Sequence, residues 1–223
     1  MIQIRQLGFS FKKGKPVFSR LDLNIKQGEF LILTGESGSG KTTLLRLLQN
    51  ELYPQSGEIN ISGSSLSDLK SKERIATKRN IGAIYQDFRL VSSMTVYENV
   101  ALTLKVRGQK NNAIKTQILK NLAEMGLSHA VHFYPAELSG GEKQKAAIAR
   151  AVIGKPRLLL ADEPTGSLDM KAGNEIIETL KKINLGGTTI LLATHNYERF
   201  LDSAYRVLAL SNGKLQTVEG DDS

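Results

Sequence analysis

The sequence contains no cysteine among its 223 residues. This absence excludes a disulfide framework, a cysteine-ligated zinc site and a thiol nucleophile, and it is compatible with a reducing compartment. Long hydrophobic runs are also missing, since no stretch approaches the roughly 20 apolar residues that a membrane-spanning helix requires. The first residues show strand-like alternation without a basic and then apolar stretch, so no secretory signal is expected. Any membrane contact is therefore expected to be peripheral or through a partner.

Acidic residues are absent from one long basic stretch. The chain carries a formal net charge of +8, which is compatible with nucleic acid, with an anionic membrane surface or simply with solubility. The acid-free stretch, residues 99–123, contains Lys105, Arg107, Lys110, Lys115 and Lys120. A second basic stretch contains Lys70, Lys72, Arg74, Lys78 and Arg79. A solvated face and an anionic partner explain such stretches equally well.

Apolar strand-like runs alternate with longer helical patterns along the chain, as in parallel sheets with helical connections. Three runs, 30–34, 158–161 and 189–193, are apolar throughout and bounded by Gly or Pro, which is typical of central strands covered on both faces. Residues 1–25 alternate, and residues 205–218 predict a hairpin because they contain an Asn-Gly turn signal. The region 90–155 is mostly helical. The sequence therefore predicts an α/β fold interrupted by a helical lobe, without internal repeats or linkers.

A complete P-loop pattern follows the first apolar run, with the required strand before it and helix after it. The pattern consists of Gly35, Glu36, Ser37, Gly38, Ser39, Gly40, Lys41 and Thr42, followed by Thr43. Glycines let backbone N–H groups curl around phosphate oxygens, and the helix dipole faces the same anions. Lys41 is predicted to bridge the β- and γ-phosphates of a nucleotide, and Thr42 to ligate Mg²⁺. The P-loop alone does not separate a kinase, a GTPase, a helicase or an ABC ATPase.

Two adjacent carboxylates, Asp162 and Glu163, end the second apolar run. A strand buried on both faces does not normally end in this way unless a cation or a reaction requires the charges. Asp162 suits a Mg²⁺ role, directly or through water. Glu163 projects differently and is placed to polarise the water that attacks the γ-phosphate.

A serine and two glycines precede a second amphipathic helix, roughly twenty residues before the acidic pair. This stretch is Leu138, Ser139, Gly140, Gly141 and Glu142. By itself it is an ordinary helix N-cap, but in this position the sequence resembles the ABC ATPase family. The resemblance covers essentially the whole chain. It implies that Ser139 and the glycines reach the P-loop of a second copy, so that two ATP molecules are sandwiched in a head-to-tail homodimer.

Other residues that are characteristic of this family occur in the expected order along the chain. By resemblance, Gln86 senses Mg²⁺ and links the core to the helical lobe, Asp169 belongs to the loop that crosses to the partner's site, and His195 holds the γ-phosphate and orients Glu163. Phe11 takes the place of the aromatic residue that stacks on adenine, usually Tyr. The chain also has a lysine, at position 145, where Arg is common.

Two other histidines, His129 and His132, match nothing in the family pattern and are interpreted as structural or surface residues. The resemblance also implies the domain plan of one ABC ATPase domain over residues 1–223. A parallel-sheet core with an N-terminal antiparallel β subdomain would occupy 1–88 and 156–223, and the helical lobe about 89–155.

The resemblance extends to the ATPases of the cell-division ABC complex, for which residues 79–90, 95–100 and 161–169 are the supporting stretches. It implies an integral membrane partner and a place on the cytoplasmic face of the inner membrane, with ATP and Mg²⁺ as cofactors. The lipoprotein-release and macrolide-export ATPases share most of these marks. A DNA-associated ABC ATPase and a small-molecule kinase are the more distant alternatives, and no nucleic-acid partner is expected.

Overall fold

A mixed six-stranded sheet lies at the centre of the molecule. The computed structural model describes residues 1–12, 14–109, 111–201 and 205–218. The strands of the sheet are β3 (Phe30–Thr34), β6 (Ile81–Ile84), β7 (Leu158–Asp162), β8 (Thr189–Ala193), β9 (Arg206–Ser211) and β10 (Lys214–Thr217). The strand order is β10-β9-β3-β8-β7-β6, with all neighbours parallel except the β9–β10 hairpin. Strands β3 and β8 are buried along their whole length, as expected of parallel strands covered on both faces.

An antiparallel sheet packs beside the central sheet. Its order is β2-β1-β4-β5, formed by β1 (Ile2–Phe9), β2 (Phe18–Ile25), β4 (Ser56–Ile61) and β5 (Ser64–Ser65). Buried and exposed residues largely alternate in β1 and β2, because one face is covered and the other is solvated. The covered face shares one hydrophobic core with the helix α1 (Lys41–Leu48) and with one side of the central sheet. The helix that follows the P-loop is thus anchored by both sheets.

The other helices cover the second face of the central sheet and form a separate lobe. They are α2 (Ser71–Arg79), α3 (Val96–Val106), α4 (Asn111–Glu124), α5 (Gly140–Val152) and α6 (Met170–Leu185). Residues of α6 pack against the sheet in one core, whereas α3, α4 and α5 surround another. A capping box starts α3, in which the Thr95 hydroxyl accepts the Glu98 N–H and the Glu98 carboxylate accepts the Thr95 N–H.

The predicted α/β organisation is confirmed. The three apolar runs form β3, β7 and β8, and the Asn-Gly signal lies between β9 and β10. Strands β4, β5 and β6 and helix α2 were not predicted from the sequence. Over the described part of the chain, no helix is both long and apolar enough to cross a membrane.

The arginines and lysines of the basic stretches differ in their surroundings. The Arg107 guanidinium donates to the backbone carbonyls of Gly154 and Arg79, and Arg79 donates to the Val106 carbonyl at 2.9 Å. These arginines therefore join the helical lobe to the core, and Arg107 is not free for an anionic partner. The exposed lysines of these stretches are Lys70, Lys72, Lys78, Lys105, Lys115 and Lys120; Lys110 lies outside the described residues.

Candidate nucleotide site

Glycine is required at two positions of the P-loop, which connects β3 to α1. Gly35 has φ +145°, and a Cβ there would lie 2.3 Å from the Leu210 carbonyl oxygen of β9. Gly40 has φ +110°, and a Cβ there would meet Val17 and Phe18 at 2.9 and 3.1 Å. Other residues are strained at such φ values, so the β9 backbone and the start of β2 fix the loop tightly.

The Lys41 side chain lies against the inside of the same loop. It is only 8% exposed, and its Nζ donates to the carbonyl oxygens of Gly35 at 2.6 Å and of Glu36 at 3.1 Å. An ammonium group carries three donors, so one N–H remains for a phosphate oxygen. The N-terminus of α1 adds unpaired N–H groups and the positive end of its dipole. The loop therefore concentrates positive charge where a phosphate would bind.

The acidic pair stands opposite the P-loop at the end of β7. Burial raises the pKa of Asp162 above the ordinary carboxyl value, and the hydrogen bond from Thr42 opposes that rise. Glu163 has a left-handed backbone, with φ 46°, which costs on the order of 1 kcal/mol for a residue other than glycine. The Glu163 N–H donates to the Ala193 carbonyl of β8 at 2.9 Å. This turn separates the directions of the two carboxylates, so each can face a different group.

A histidine at the end of the neighbouring strand contacts the second carboxylate. The Nδ1 atom of His195 lies 3.0 Å from a carboxylate oxygen of Glu163. Because β7 and β8 are parallel neighbours, residues just after their carboxyl ends meet at one edge of the sheet. The predicted pairing of Glu163 with His195 is therefore present.

The loop after β6 brings Gln86 to the same edge. A Cβ built on Gly166 would lie 3.2 Å from the Gln86 Nε2 atom, so Gln86 packs against the turn that follows the acidic pair. The Arg89 guanidinium stacks over the Tyr85 ring at 3.7 Å, and Arg150 donates to the Phe88 carbonyl at 2.9 Å. Arg150 of α5 thus ties the loop that carries Gln86 to the helical lobe.

These residues line a common cleft of about 590 Å³, called here the first cleft. Its lining residues are Phe11, Val17, Ser37, Gly38, Gly40, Lys41, Thr42, Thr43, Gln86, Asp162, Glu163 and His195. Phe11 is half-exposed and packs edge-on against Phe9 with ring centroids 5.0 Å apart. Val17 was missed from the sequence, because an apolar residue before a strand has no distinguishing signal.

The Ser-Gly-Gly stretch lies in a different, smaller depression of about 290 Å³, called here the second cleft. It is lined by Ser139, Gly140, Gly141, Glu142, Lys145, Ser167, Leu168, Asp169, Ala172 and Glu175. Ser139 caps α5: its hydroxyl accepts the Glu142 N–H at 3.3 Å and lies 2.6 Å from a Glu142 carboxylate oxygen. Asp169 caps α6 by accepting the Ala172 N–H at 2.9 Å.

Close packing leaves little room for a side chain at either glycine of the second cleft. A Cβ on Gly140 would lie 3.2 Å from Leu168, and one on Gly141 would lie 3.3 Å from Ala172. The unusual lysine of this cleft, Lys145, forms an ion pair with Glu175 at 2.7 Å. Glu175 was not predicted as a neighbour of the site.

Most of the predicted nucleotide residues line one of these two clefts, whereas Gly35, Glu36 and Ser39 of the P-loop line neither. Among the residues that the structure describes, no lining residue is common to the first and second clefts. The first cleft has a lysine and a helix start for phosphates together with two carboxylates. The second cleft has a capped helix start without those carboxylates. The individual roles remain predictions.

The donor set of the first cleft fits Mg²⁺. Thr42, Gln86 and Asp162 supply a hydroxyl, an amide oxygen and a carboxylate around one cleft, and Mg²⁺ prefers oxygen ligands with few carboxylates plus substrate phosphates. The hydrogen bond between Thr42 and Asp162 places two of these donors side by side. A cation here would also offset the cost of burying the Asp162 charge.

Comparison with known proteins reveals extensive similarity. A sequence profile described as "ABC transporter" matches residues 18–166. The cell division ATP-binding protein FtsE of Streptococcus pneumoniae is 39% identical over 215 residues, covering 96% of this chain and 94% of that protein. FtsE of Mycobacterium tuberculosis is 42% identical over 201 residues (90% and 87%), and FtsE of Escherichia coli is 38% identical over 215 residues (96% and 97%).

Solved structures agree with this similarity. The dimeric ATP-binding cassette MJ0796 bound to ADP and Pi, described as a post-hydrolysis state, superposes with a TM-score of 0.88 at 31% identity. A second dimeric structure of MJ0796, a bacterial ABC transporter cassette, gives 0.88 at 33% identity. Both comparisons cover 100% of each chain. The predicted P-loop fold with a parallel core and an antiparallel N-terminal sheet is thus confirmed.

Proposed function

Because the chain belongs to the ABC transporter ATPase family, we propose that it acts as the ATP-driven, head-to-tail pair of an FtsE-like complex. In this proposal the pair works on an FtsX-like integral membrane partner at the cytoplasmic face of the inner membrane. The motion that ATP binding and hydrolysis produce would control cell-wall hydrolysis during cell division. The similarity to three FtsE proteins over at least 90% of the chain supports this assignment.

The separation of the two clefts is the observation that carries the proposal. Lys41 and Glu163 lie in the first cleft, whereas Ser139 lies in the second. If the first cleft of one copy faces the second cleft of another, each ATP contacts Lys41 of one and Ser139 of the other. Binding two ATP molecules then closes the pair, and loss of the γ-phosphate contacts lets it open.

Each side chain of the combined site has a separate task in hydrolysis. Glu163 accepts a proton from the attacking water, and the contact with His195 keeps its carboxylate oriented. Lys41 and the N–H groups of the P-loop stabilise the negative charge of the transferring phosphoryl group. Mg²⁺, when bound, would supply further neutralisation of the phosphate charge. Thr42, Asp162 and Gln86 would hold that ion.

An apolar groove between α2, β6 and α3 is the proposed dock for the membrane partner. This groove has a volume of about 550 Å³, and its lining includes Ile75, Ala83, Leu102 and Val106. The side chains of Ile75 and Val106 are 52% and 68% exposed, which is unusual for two large apolar residues in one patch. Tyr85 lines the same groove and directly precedes Gln86. A partner segment in the groove would therefore be coupled to the nucleotide cleft.

Co-purification from membranes tests the proposal. We expect the wild-type chain to retain an integral protein of the FtsX type, and the double substitution Ile75→Asp, Val106→Asp to reduce its recovery at least tenfold. Two buried carboxylates at an apolar interface each carry a desolvation cost. Leu185→Asp is the matched control, because Leu185 is 85% exposed on α6, away from the groove.

Two outcomes of this experiment would contradict the proposal. Recovery of a lipoprotein-release or macrolide-export permease would contradict the cell-division assignment. Equal recovery with the double variant and with the Leu185→Asp control would contradict the groove as the dock. ATP-driven dimerisation of the double variant, measured separately, should be unchanged, because neither substituted residue lines a nucleotide cleft.

The exposed lysines beside the groove are expected to face anionic headgroups. Lys78 lines the groove and Lys105 directly precedes Val106 in α3. Both side chains are exposed, unlike that of Arg107, which is held by backbone carbonyls. Each lysine near an anionic surface contributes about 1 kcal/mol, so Lys78→Ala with Lys105→Ala should weaken binding to phosphatidylserine vesicles by roughly thirtyfold. Lys214→Ala, an exposed lysine on β10, is the control for loss of positive charge. Vesicle binding is measured by sedimentation at low salt. Equal binding by the double lysine variant and by the Lys214→Ala control would exclude this contact.

A further inference from the structure

His129 contacts the residue that caps the second cleft. It lies in a short 3-10 turn, Ser128–Ala130, and its Nε2 atom is 2.8 Å from one carboxylate oxygen of Glu142. The other carboxylate oxygen of Glu142 accepts the Ser139 N–H at 2.9 Å and lies 2.6 Å from the Ser139 hydroxyl oxygen. The Phe133 ring packs edge-on against the imidazole. The sequence alone indicates only a structural or surface role for this histidine.

The hydrogen-bond directions in this cluster follow from the charge of Glu142. Two hydrogen bonds from Ser139, and then one from His129, hold the pKa of Glu142 at about 2. The carboxylate is therefore ionised near neutral pH and can only accept. The Ser139 hydroxyl donates its single proton to Glu142, and His129 donates from Nε2.

A second copy's triphosphate would compete for the Ser139 proton. In the proposed sandwich, Ser139 contacts the ATP bound by the other copy, whose ionised phosphate oxygens are also acceptors. Ser139 has one hydroxyl proton, so it cannot donate to Glu142 and to the phosphate at once. When it turns to the phosphate, the Glu142 carboxylate loses a donor while a polyanion approaches.

We propose that His129 is a positioning residue that holds the Glu142 carboxylate as Ser139 turns its proton to the ATP of a second copy. A protonated imidazole also offsets the negative charge of Glu142, which otherwise repels the incoming triphosphate. Closure of the ATP-loaded pair is then favoured at pH values at which His129 is charged. This inference rests on the proposed function and adds a pH dependence to it.

The proposed pH dependence of dimer closure requires a group that changes charge between pH 5 and 8. Histidine is the side chain that ordinarily changes charge in this interval. Among the described residues, Glu142 of α5 is the ionisable group in contact with His129. The turn also packs against α4, whose charged residues nearest in sequence, Lys120 and Glu124, belong to types that do not titrate there.

The experiment measures ATP-driven dimerisation in the Glu163→Gln background at pH 6 and pH 8. The ATP concentration that gives half-maximal dimer, obtained by analytical ultracentrifugation, is compared between the parent, which retains His129, and the variants His129→Asn and His129→Lys. We expect the change from pH 8 to pH 6 to lower this ATP concentration more in the parent than in the uncharged His129→Asn variant. The pH 8 to pH 6 ratio of the two concentrations should differ between these proteins by roughly two- to fivefold, the range of exposed ion pairs. The variant His129→Lys should dimerise readily at both pH values.

Contributions that all variants share cancel in this comparison. The triphosphate of ATP also changes charge in this interval, but identically in each protein. His132→Asn is the matched control and should leave the ratio of the parent unchanged. In a Glu142→Gln background, which lacks the carboxylate charge, His129→Asn should have no effect on the ratio.

The outcomes distinguish this inference from the proposed function. Equal pH ratios for the parent and His129→Asn, with the dimer still forming, would overturn the role of His129 alone. Absence of an ATP-driven dimer at both pH values in the parent would overturn the head-to-tail pair itself. If His129→Asn does not fold, as judged by circular dichroism, the ratios of His129→Lys and of the Glu142→Gln protein decide the question, since both should differ from the parent.

Discussion

Glu163→Gln is expected to abolish turnover while trapping ATP between two copies of the chain. The amide keeps the shape of the carboxylate but cannot accept a proton from water, so phosphate release should fall by roughly 10²–10⁴-fold, the contribution of a general base. ATP binding should persist, because Lys41 and the P-loop backbone are unchanged. Phosphate release and the mass of the ATP-loaded species by light scattering measure the two effects.

The matched control for this substitution is Glu178→Gln. Glu178 is on α6, where it pairs with Lys181 at 2.8 Å and lines neither cleft. The control should hydrolyse ATP at the parental rate and should not accumulate a dimer. A Glu163→Gln protein that stays monomeric at saturating ATP, or that retains hydrolysis, would contradict the assignment of Glu163 as the base.

Lys41→Ala is expected to remove nucleotide binding. Removing one partner of a buried, hydrogen-bonded charge pair costs about 2–5 kcal/mol, so ATP affinity should fall by at least about thirtyfold and by more than 10³-fold at the upper end. The loop would also lose the donor that holds the Gly35 and Glu36 carbonyl oxygens. Fluorescent nucleotide titration measures the affinity, and circular dichroism verifies that the chain remains folded.

Lys41→Arg separates charge from geometry at this position. Arginine keeps the positive charge but is larger and planar, and the site is enclosed by the loop that surrounds Lys41. We therefore expect Arg to restore only part of the affinity. Lys181→Ala, on a partly exposed part of α6 that lines neither cleft, serves as the control that should bind ATP normally. Unchanged affinity in Lys41→Ala would indicate that the loop does not bind phosphate.

The sequence predicts those parts of the site that depend on local patterns. The P-loop follows its strand directly, and the acidic pair ends another apolar run, so strand, turn and charge can be read within a few residues. Gln86, His195 and Ser139 become meaningful only through their order along the chain, because a lone residue of these types is usually structural. The parallel pairing of β7 with β8 then brings Glu163 and His195 together.

Other features depend on contacts between distant segments and leave no local signal. Strand β4 is partly polar and is stabilised by pairing with β1 and by a core shared with α1, whereas the two-residue strand β5 is stabilised by pairing with β4. The left-handed turn at Glu163 is set by its hydrogen bond to β8. The contact of His129 with Glu142 requires a 3-10 turn and the start of α5 to meet, which neither segment reveals alone. Likewise, the sequence suggests that Arg107 contributes to a basic surface, but its guanidinium donates to a backbone carbonyl of a distant segment.

The packing of Gly35 against the Leu210 carbonyl has a consequence for biosynthesis. Strand β9 is the hydrogen-bonded neighbour of β3, and a Cβ on Gly213, in the following turn, would lie 2.7 Å from the Val17 carbonyl at the wall of the first cleft. The phosphate loop is thus shaped by segments that the ribosome makes late, long after the loop has emerged. A nascent chain that lacks β9 and β10 should therefore be unable to recruit ATP, and pairing with a second copy should wait until β10 has been synthesised.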